Sequence, residues 1–443
     1  MPKVLIFGQS FNANTGGGVT LTNLFGDWDK NDLAVICTSH ANGNISPNVC
    51  DNYYFIGSDE FHYKFPFNYF QRPSPSGKLP IVYTTSSESF SYKPSWRELI
   101  IQNVLYPMLD WSGLMHVISK MEVSPNLLQW VDEFSPDVLY IQASTRESLL
   151  FAIKLSERIK IPVIIHQMDD WVSTVGSNGL GSRYWSRKIN GEFKQLVQRA
   201  DLCLSISDLM GVEYQRRYGS KFKTYHNPVD LDIWEPKVNV EKYAEKEYSI
   251  LYAGRTGFGI ATSLKAFASA VEFFNETSDT KIKFYIQTAE ELAWTQDFEY
   301  TIHKKLIPYE KLPQLFQSMD FLLLPCDFSD KALKFLKYSM PTKAPEYMIT
   351  GTPIIILAPE ETAIFQYGKE FNWAFTINND DTKFIASRLS EIVSNRISQI
   401  EVSQNAMSFA KQRHSQEVVT KQFTQEFRTL VSYLDETESL AFN

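Results

Sequence analysis

The sequence predicts an α/β protein of two doubly wound, Rossmann-like lobes with a cleft between them. Short, wholly apolar runs alternate with helical patterns along the first half, and the same rhythm restarts after about residue 247. The 443 residues exceed one ordinary globular domain and suit two lobes of roughly 200 residues each.

First-lobe strands are expected at 4–7, 33–37, 138–141, 163–165 and 202–206, each followed by polar or glycine residues and usually by a helical pattern. A strand half exposed to water would alternate; these runs are apolar throughout, as in a parallel sheet covered on both faces. In the second lobe, strands are expected at 249–253, 282–286, 321–324 and 354–357, with helices at 261–274, 312–318 and 344–349. Asn227-Pro228-Val229-Asp230 and the charged stretch 237–247 read as the linker, with the boundary near residue 235. The chain then divides into 1–235, 236–415 and a C-terminal segment, 416–443. Loose helical spacing of apolar residues over 400–434 predicts amphipathic helices able to pack across both lobes, with 416–443 able to pack back on the first.

Composition removes several function classes. A hydrophobic share of 44% supplies two cores, and 21% charged residues is too few for general disorder. Net charge −8 and a pI near 5.5 argue against wholesale binding of DNA or RNA, although a local basic pocket is compatible with them. Cys37, Cys50, Cys203 and Cys326 lie far apart with no CxxC pair, which suggests neither a zinc site nor a disulfide framework and fits a reducing cytoplasm. The apolar run 4–7 turns polar too soon for a signal-peptide core, and no run approaches the roughly 20 residues that span a bilayer.

Two stretches depart from the alternation. Residues 53–70 gather Tyr53, Tyr54, Phe55, Phe61, Tyr63, Phe65, Phe67, Tyr69 and Phe70 within an insert of about 40–135. They read as local core with a loop, or as an acceptor platform or lipid-facing patch, because aromatic rings stack on sugars and sit at membrane interfaces. Residues 96–120 read as a helix broken at Pro107, with Leu99, Ile100, Val104, Leu105, Met108 and Trp111 expected in the core.

Three segments can carry chemistry. Gly16-Gly17-Gly18 follows the first strand and leads into a helical pattern, so its amides can approach an anion; a merely structural glycine turn is the alternative. It is not GxGxxG. Strand 249–253 runs into Gly254-Arg255-Thr256-Gly257-Phe258-Gly259 and a helix from about residue 260, which places amides and one guanidinium where α/β sheets bind phosphate. In 338–353, Thr342 can cap a short helix, Pro345 fits its first turn, Gly351 can end it and Pro353 opens a strand. Lys343 adds charge at that helix start, and Glu346 offers two oxygens to the two hydroxyls of a ribose.

Taken together, Gly16-Gly17-Gly18, Asn227-Pro228-Val229-Asp230, Tyr252-Ala253-Gly254-Arg255 and Ser339-x-Pro341-x-Lys343-x-x-Glu346-Tyr347-Met348 with Gly351-x-Pro353 resemble GT-B glycosyltransferases, in particular the retaining family-four group. The resemblance implies an acceptor-binding first lobe and a donor-binding second lobe. It implies that Arg255 and Lys343 hold the donor diphosphate, with Gly254, Thr256, Tyr338 and Ser339 around it, and that Glu346 holds the ribose. Gly16, Gly17 and Gly18 would close on the phosphate, Pro308 and Tyr309 would frame the base, and His166 would contact the transferred sugar. Read without the family, a lone histidine after a strand is more often structural. Two features depart from the group's pattern. Tyr338 stands where many members carry a glutamate, leaving backbone amides to make the sugar contacts, and 257–263 has no second basic residue.

The function expected is sugar transfer from a UDP- or GDP-sugar to a saccharide or lipid-linked acceptor, with retention, in capsule or other cell-surface polysaccharide biosynthesis. Side-chain cations and helix starts would stabilise the leaving diphosphate, with no metal and no cofactor. A nucleotide-sugar epimerase or hydrolase, or a non-catalytic sugar-binding subunit, is the alternative on the same fold. The expected location is cytoplasmic, with peripheral contact at the inner face of the membrane.

Overall fold

A computed structural model describes residues 1–38, 45–79, 101–177, 179–236 and 247–441. The chain forms two compact units: Met1–Ser205, Gly211–Thr224 and Gln422–Asn443 make the first, and Ile206–Met210 with Tyr225–Lys421 the second.

The first unit is built on an eight-stranded sheet. From edge to edge its strands are Phe222–Thr224, Leu202–Ser205, Val163–Gln167, Val138–Ile141, Val4–Phe7, Leu33–Thr38, Tyr53–Ile56 and Gly77–Lys78. All pair in parallel except the last, which is antiparallel. Val4–Phe7 and Val138–Ile141 lie side by side in the middle with every residue buried, as their uninterrupted apolar character requires. Phe25 anchors the helical layer, meeting Tyr140, Phe423 and Phe427 edge-on with ring centroids 5.2–5.7 Å apart.

The loop after Val163–Gln167 is held by an ion pair. Arg217 Nη1 lies 3.1 and 3.0 Å from the two carboxylate oxygens of Asp170, and the Tyr214 hydroxyl donates to the same group at 2.7 Å. Asp170 is buried, so removing Arg217 would leave its carboxylate in low dielectric without a countercharge, whereas Arg217 also pairs with Glu213 at 2.7 Å.

The second unit carries a six-stranded, all-parallel sheet in the order Thr301–Lys304, Lys281–Gln287, Glu247–Ala253, Phe321–Pro325, Ile354–Leu357 and Phe375–Ile377. The helices Ala261–Thr277 and Thr382–Ser394 contribute Phe267, Val271, Phe274, Ile385 and Leu389 to one core with these strands. Because all six strands run the same way, the loops after Ala253, Gln287, Lys304 and Pro325 share one edge, the carboxyl end where such sheets bind ligands.

Several sequence expectations change here. Asn227–Asp230 is not a loose linker: the Val229 amide donates to the His414 carbonyl at 2.8 Å, the Gln416 amide donates to the Val229 carbonyl at 2.9 Å, and Asn227 and Val229 are buried. Most of the charged stretch, 237–246, lies outside the described residues, and Glu247 already begins a strand. The helix expected over 96–120 begins outside the described residues. Its described part is a π-turn, Ile101–Leu105, then Tyr106–Ser112, ended by Gly113 at φ 73°. Pro107 sits in the first turn, where its missing N–H is harmless, so it starts the regular helix and does not break it. Leu109 is the helix's buried residue; Val104, Met108 and Trp111 are exposed, contrary to the expected core packing. The aromatic insert divides: Tyr53, Tyr54 and Phe55 are buried in the main sheet, whereas Phe65 and Tyr69 face solvent. The C-terminal helices are Arg396–Arg413 and Gln416–Ala441. No helix among the described residues is long and apolar enough to cross a membrane.

His226 and His414 stack edge-on in the second unit with centroids 4.9 Å apart, and His414 Nε2 shares a 2.8 Å hydrogen bond with the Tyr367 hydroxyl. Burial pushes the His226 pKa down to about 4 and lowers that of His414. Both are therefore neutral in the folded state, whereas the unfolded chain takes up protons near pH 6.5. Stability is full above that pH and falls as pH drops toward 4. Urea midpoints measured at several pH values should decline over this window, and His226→Gln should flatten the decline.

Candidate functional site

The residues with the clearest chemistry lie at the carboxyl edge of the second unit's sheet. Ala253 ends a central strand, and the Tyr347 hydroxyl accepts its amide hydrogen at 3.1 Å and donates to its carbonyl at 3.4 Å. Tyr347 belongs to the six-residue helix Ala344–Ile349, so this phenol holds the helix bearing Glu346 against the start of the 254–259 turn. Gly351, at φ 74°, ends the segment in the left-handed conformation its sequence suggests, and Ile354–Leu357 follows Pro353.

Glu346 is 4% exposed. Its Oε1 accepts a 3.2 Å hydrogen bond from the Tyr309 hydroxyl, which in turn accepts one from Trp234 Nε1 at 3.1 Å. Its Oε2 is buried without a hydrogen-bond partner, and the Lys343 ammonium stands 4.0 Å away. Burial raises the Glu346 pKa, opposed by the charge of Lys343 and the Tyr309 hydrogen bond. The group is a desolvated carboxylate with acceptor capacity to spare, a place for a ligand with hydroxyl donors. Tyr309 stacks edge-on with Trp234, 5.6 Å between centroids. Pro308 precedes it in extended conformation.

Arg255 is exposed in its turn. The Tyr252 hydroxyl donates to the Arg255 carbonyl, and Arg255 Nη1 donates to the Phe258 carbonyl at 3.2 Å. The Lys331 ammonium sits 5.4 Å from the centre of the Phe258 ring, on helix Asp330–Leu336, which packs so closely that a Cβ on Gly259 would meet Leu336 Cδ1 at 2.9 Å. A second cation thus reaches the glycine turn from a different element. The spacing Lys331, Lys334, Lys337 is visible in the sequence, but only the packing of this helix shows which lysine leans on the turn.

The amide donors expected at the helix starts are largely consumed within the chain. At Ala261–Thr277, the buried Asp327 carboxylate takes the Ser263 amide at 2.8 Å, while the Ile260 and Ala261 amides donate to the Gly257 carbonyl at 3.1 and 3.0 Å. A protein carboxylate therefore takes a helix-start amide that the sequence reading left to a phosphate. The Gly254 amide donates to the Gln287 carbonyl at 3.1 Å, and this glycine is explained by crowding: a Cβ would lie 2.7 Å from the Tyr252 hydroxyl. Thr342 does not cap the next helix. Lys343 holds the cap position without a side-chain bond, the Ala344 amide donates to the Pro341 carbonyl at 3.0 Å, and Pro345 has no N–H. At the corner expected to offer amides to a sugar, the Ser339 amide and hydroxyl donate to Leu336 and Phe335 carbonyls at 3.0 and 3.1 Å, and buried Tyr338 has its carbonyl bonded by Ser207 Oγ at 2.6 Å.

Gly16, Gly17, Gly18 and His166 belong to the first unit. Gly16–Leu24 is helical from its first glycine; Thr15 caps it, its hydroxyl taking the Gly18 amide at 3.1 Å. A Cβ on Gly18 would overlap the buried Asn12 amide, with Nδ2 at 2.1 Å, so close packing accounts for that glycine; one on Gly17 would meet only the movable end of the Gln9 side chain, Oε1 at 2.9 Å. His166 lies within its strand, which runs on to Gln167, and is 1% exposed, with Nδ1 2.6 Å from the Tyr140 hydroxyl, the setting of a core histidine. Among the described residues, no three His, Cys, Asp or Glu side chains are grouped to hold a metal ion.

Solved structures of similar shape span nearly the whole chain. HepE from Anabaena in complex with UDP and glucose superposes with a TM-score of 0.58 at 11% identity, covering 97% of this chain and all of its own. Sucrose-phosphate synthase from Thermosynechococcus elongatus gives 0.63 at 11% identity, over 97% and 99%. A glycosyltransferase from Rickettsia africae gives 0.58 at 7% identity, over 97% and 98%. No family model and no curated protein matches the sequence. At these identities the likeness establishes the fold, which is GT-B.

Asp327→Ala would uncap Ala261–Thr277. Loss of about 1–2 kcal/mol of stability in denaturant unfolding is expected, the usual effect of removing a capping carboxylate.

Proposed function

We propose that the chain is a glycosyltransferase that takes a sugar from a nucleotide-sugar donor and passes it to a saccharide or lipid-linked saccharide acceptor. The observation that carries this reading is the desolvated Glu346 carboxylate, one oxygen without a hydrogen-bond partner, on a helix tied by Tyr347 to the turn bearing Arg255. A ribose presents two adjacent hydroxyls, each able to donate to a carboxylate oxygen, and Tyr309 and Trp234 hold that carboxylate in place. Arg255 grips the diphosphate, with Lys343 and Lys331 adding charge. The fold supports the same assignment, and HepE was crystallised with UDP and glucose.

In this reading the bond between the sugar's anomeric carbon and the diphosphate oxygen breaks, and its electron pair leaves with the diphosphate. Arg255, Lys331 and Lys343 stabilise the charge that develops there, so the transfer needs no metal. The acceptor hydroxyl attacks from the leaving group's own face and gives its proton to a departing phosphate oxygen, which retains the anomeric configuration. The reading gives His166 a packing role through Tyr140 and no contact with the sugar. Cell-surface polysaccharide assembly in the cytoplasm is the setting that suits such an acceptor.

Thermal shift with UDP, GDP and their sugars tests the donor site, since a ligand present at a hundred times its Kd adds about 2.7 kcal/mol of apparent stability. Arg255→Ala should weaken nucleotide binding by roughly tenfold to a hundredfold, the usual loss for a charged hydrogen-bonding group. Glu346→Gln should weaken it comparably, yet leave the unliganded protein melting no lower, because it removes a poorly solvated charge. If both variants respond to nucleotide as the wild type does, the donor assignment is wrong. Incubation with donor alone should leave the sugar nucleotide largely intact, whereas an epimerase or hydrolase would convert it.

A further inference from the structure

We propose that the sugar on the donor carries a carboxylate, so that the donor is a nucleotide-activated uronic acid, and that Lys337 pairs with that carboxylate. This rests on the donor-site reading of Arg255 and Glu346. The starting point is an excess of positive charge. The chain as a whole has net charge −8, yet residues 331–345 contain Lys331, Lys334, Lys337 and Lys343 and no carboxylate, and the glycine turn packed on this helix adds Arg255. Of the carboxylates that flank the stretch, Asp330 lies in the first turn of the helix, Asp327 is taken by the Ser263 amide, and Glu346 is given to the ribose. The diphosphate of a sugar nucleotide carries two negative charges, which Arg255, Lys331 and Lys343 meet. Lys334 and Lys337 remain.

Lys331, Lys334 and Lys337 have no carboxylate partner among the described residues. Two of them rest on aromatic faces: Lys331 Nζ lies 5.4 Å from the centre of the Phe258 ring, and Lys337 Nζ 5.6 Å from that of Tyr338. A ring face steadies an ammonium without neutralising it. Lys337 is half-buried, and its backbone is pinned on both sides, the amide donating to the Leu333 carbonyl at 2.9 Å and the carbonyl accepting the Ala363 amide at 2.7 Å. Lys337 and Lys343 stand at the two ends of the segment joining helix Asp330–Leu336 to helix Ala344–Ile349. Glu346 and Lys343 mark the ribose end. The sugar hangs from the other side of the diphosphate, and so falls toward Lys337.

What this segment can offer a sugar is one-sided. The hydroxyls of a neutral hexose each donate a hydrogen bond and call for acceptors. Here the carbonyls of Lys337, Tyr338, Pro341 and Thr342 already accept hydrogen bonds from Ala363, Ser207, Ala344 and Asn227. The Ser339 hydroxyl donates to the Phe335 carbonyl. The charged groups left are ammonium groups, which donate and never accept. A carboxylate accepts and never donates, so it suits this corner where a neutral hexose does not.

Titration calorimetry on the full chain tests this with matched pairs: UDP-glucose against UDP-glucuronate, UDP-galactose against UDP-galacturonate, and GDP-mannose against GDP-mannuronate. In one pair the uronate should bind about tenfold tighter or more than its neutral partner, the usual gain from a charge-assisted hydrogen bond. The preference should shrink as salt is raised. Lys337→Met should abolish it, with the affinity for the free nucleoside diphosphate and the melting temperature of the unliganded protein held at wild-type values. Nucleotides that bind while no uronate gains over its neutral partner, or a preference that survives Lys337→Met, would overturn the inference and leave the donor site standing. Failure of every nucleotide to bind would overturn both.

Discussion

A carboxylate out of water must be paired, hydrogen-bonded or neutralised, and Glu346 meets that requirement only in part. Tyr309 donates to one oxygen, Lys343 balances charge from 4.0 Å, and the second oxygen has no donor. The neighbourhood follows from this constraint. Trp234 fixes the Tyr309 hydroxyl so that its proton points to Glu346, and the ring of Tyr347, next in sequence, is locked onto Ala253. The unsatisfied remainder is what a donor's hydroxyls would complete, so the site's affinity and the apo protein's discomfort have the same source.

The parallel sheet places loops from several strands at one edge, but what those loops present differs from the simple picture of helix amides awaiting an anion. Asp327 closes the helix start after the glycine turn, Thr15 closes the one after Gly16, and Pro341 takes the Ala344 amide. Buried amides rarely stay unpaired, and here the chain's own oxygens satisfy them. In the proposed site, anion recognition would therefore fall to side chains: Arg255 braced through Phe258, Lys331 against the ring of the same phenylalanine, and Lys343 beside Glu346.

Local signals were legible in the sequence and long-range ones were not. The strand positions 4–7, 138–141 and 354–357 were readable because a wholly apolar run has few places to go but between two layers. Gly351 and Pro353 marked the end of one element and the start of the next for steric reasons internal to the residues. The capping by Asp327 spans 64 residues, and the Trp234–Tyr309 bond spans 75, so no spacing rule reaches them. Periodicity also misled at 104–111, since it reports which residues share a helix face and not whether anything covers that face.

The Tyr347 hydroxyl, bonded to both the amide and the carbonyl of Ala253, gives the site a built-in ruler. In the proposed reading Glu346 and Arg255 would hold opposite ends of a nucleotide, and one phenol, spanning from the helix of Glu346 to the strand leading into Arg255, would fix the separation of the two backbone segments that carry them. Substrates whose ribose-to-diphosphate spacing differs would have to move a strand at the centre of a sheet. Discrimination of this kind is independent of the sugar, and it would let the acceptor side vary while the recognised nucleotide stays constant.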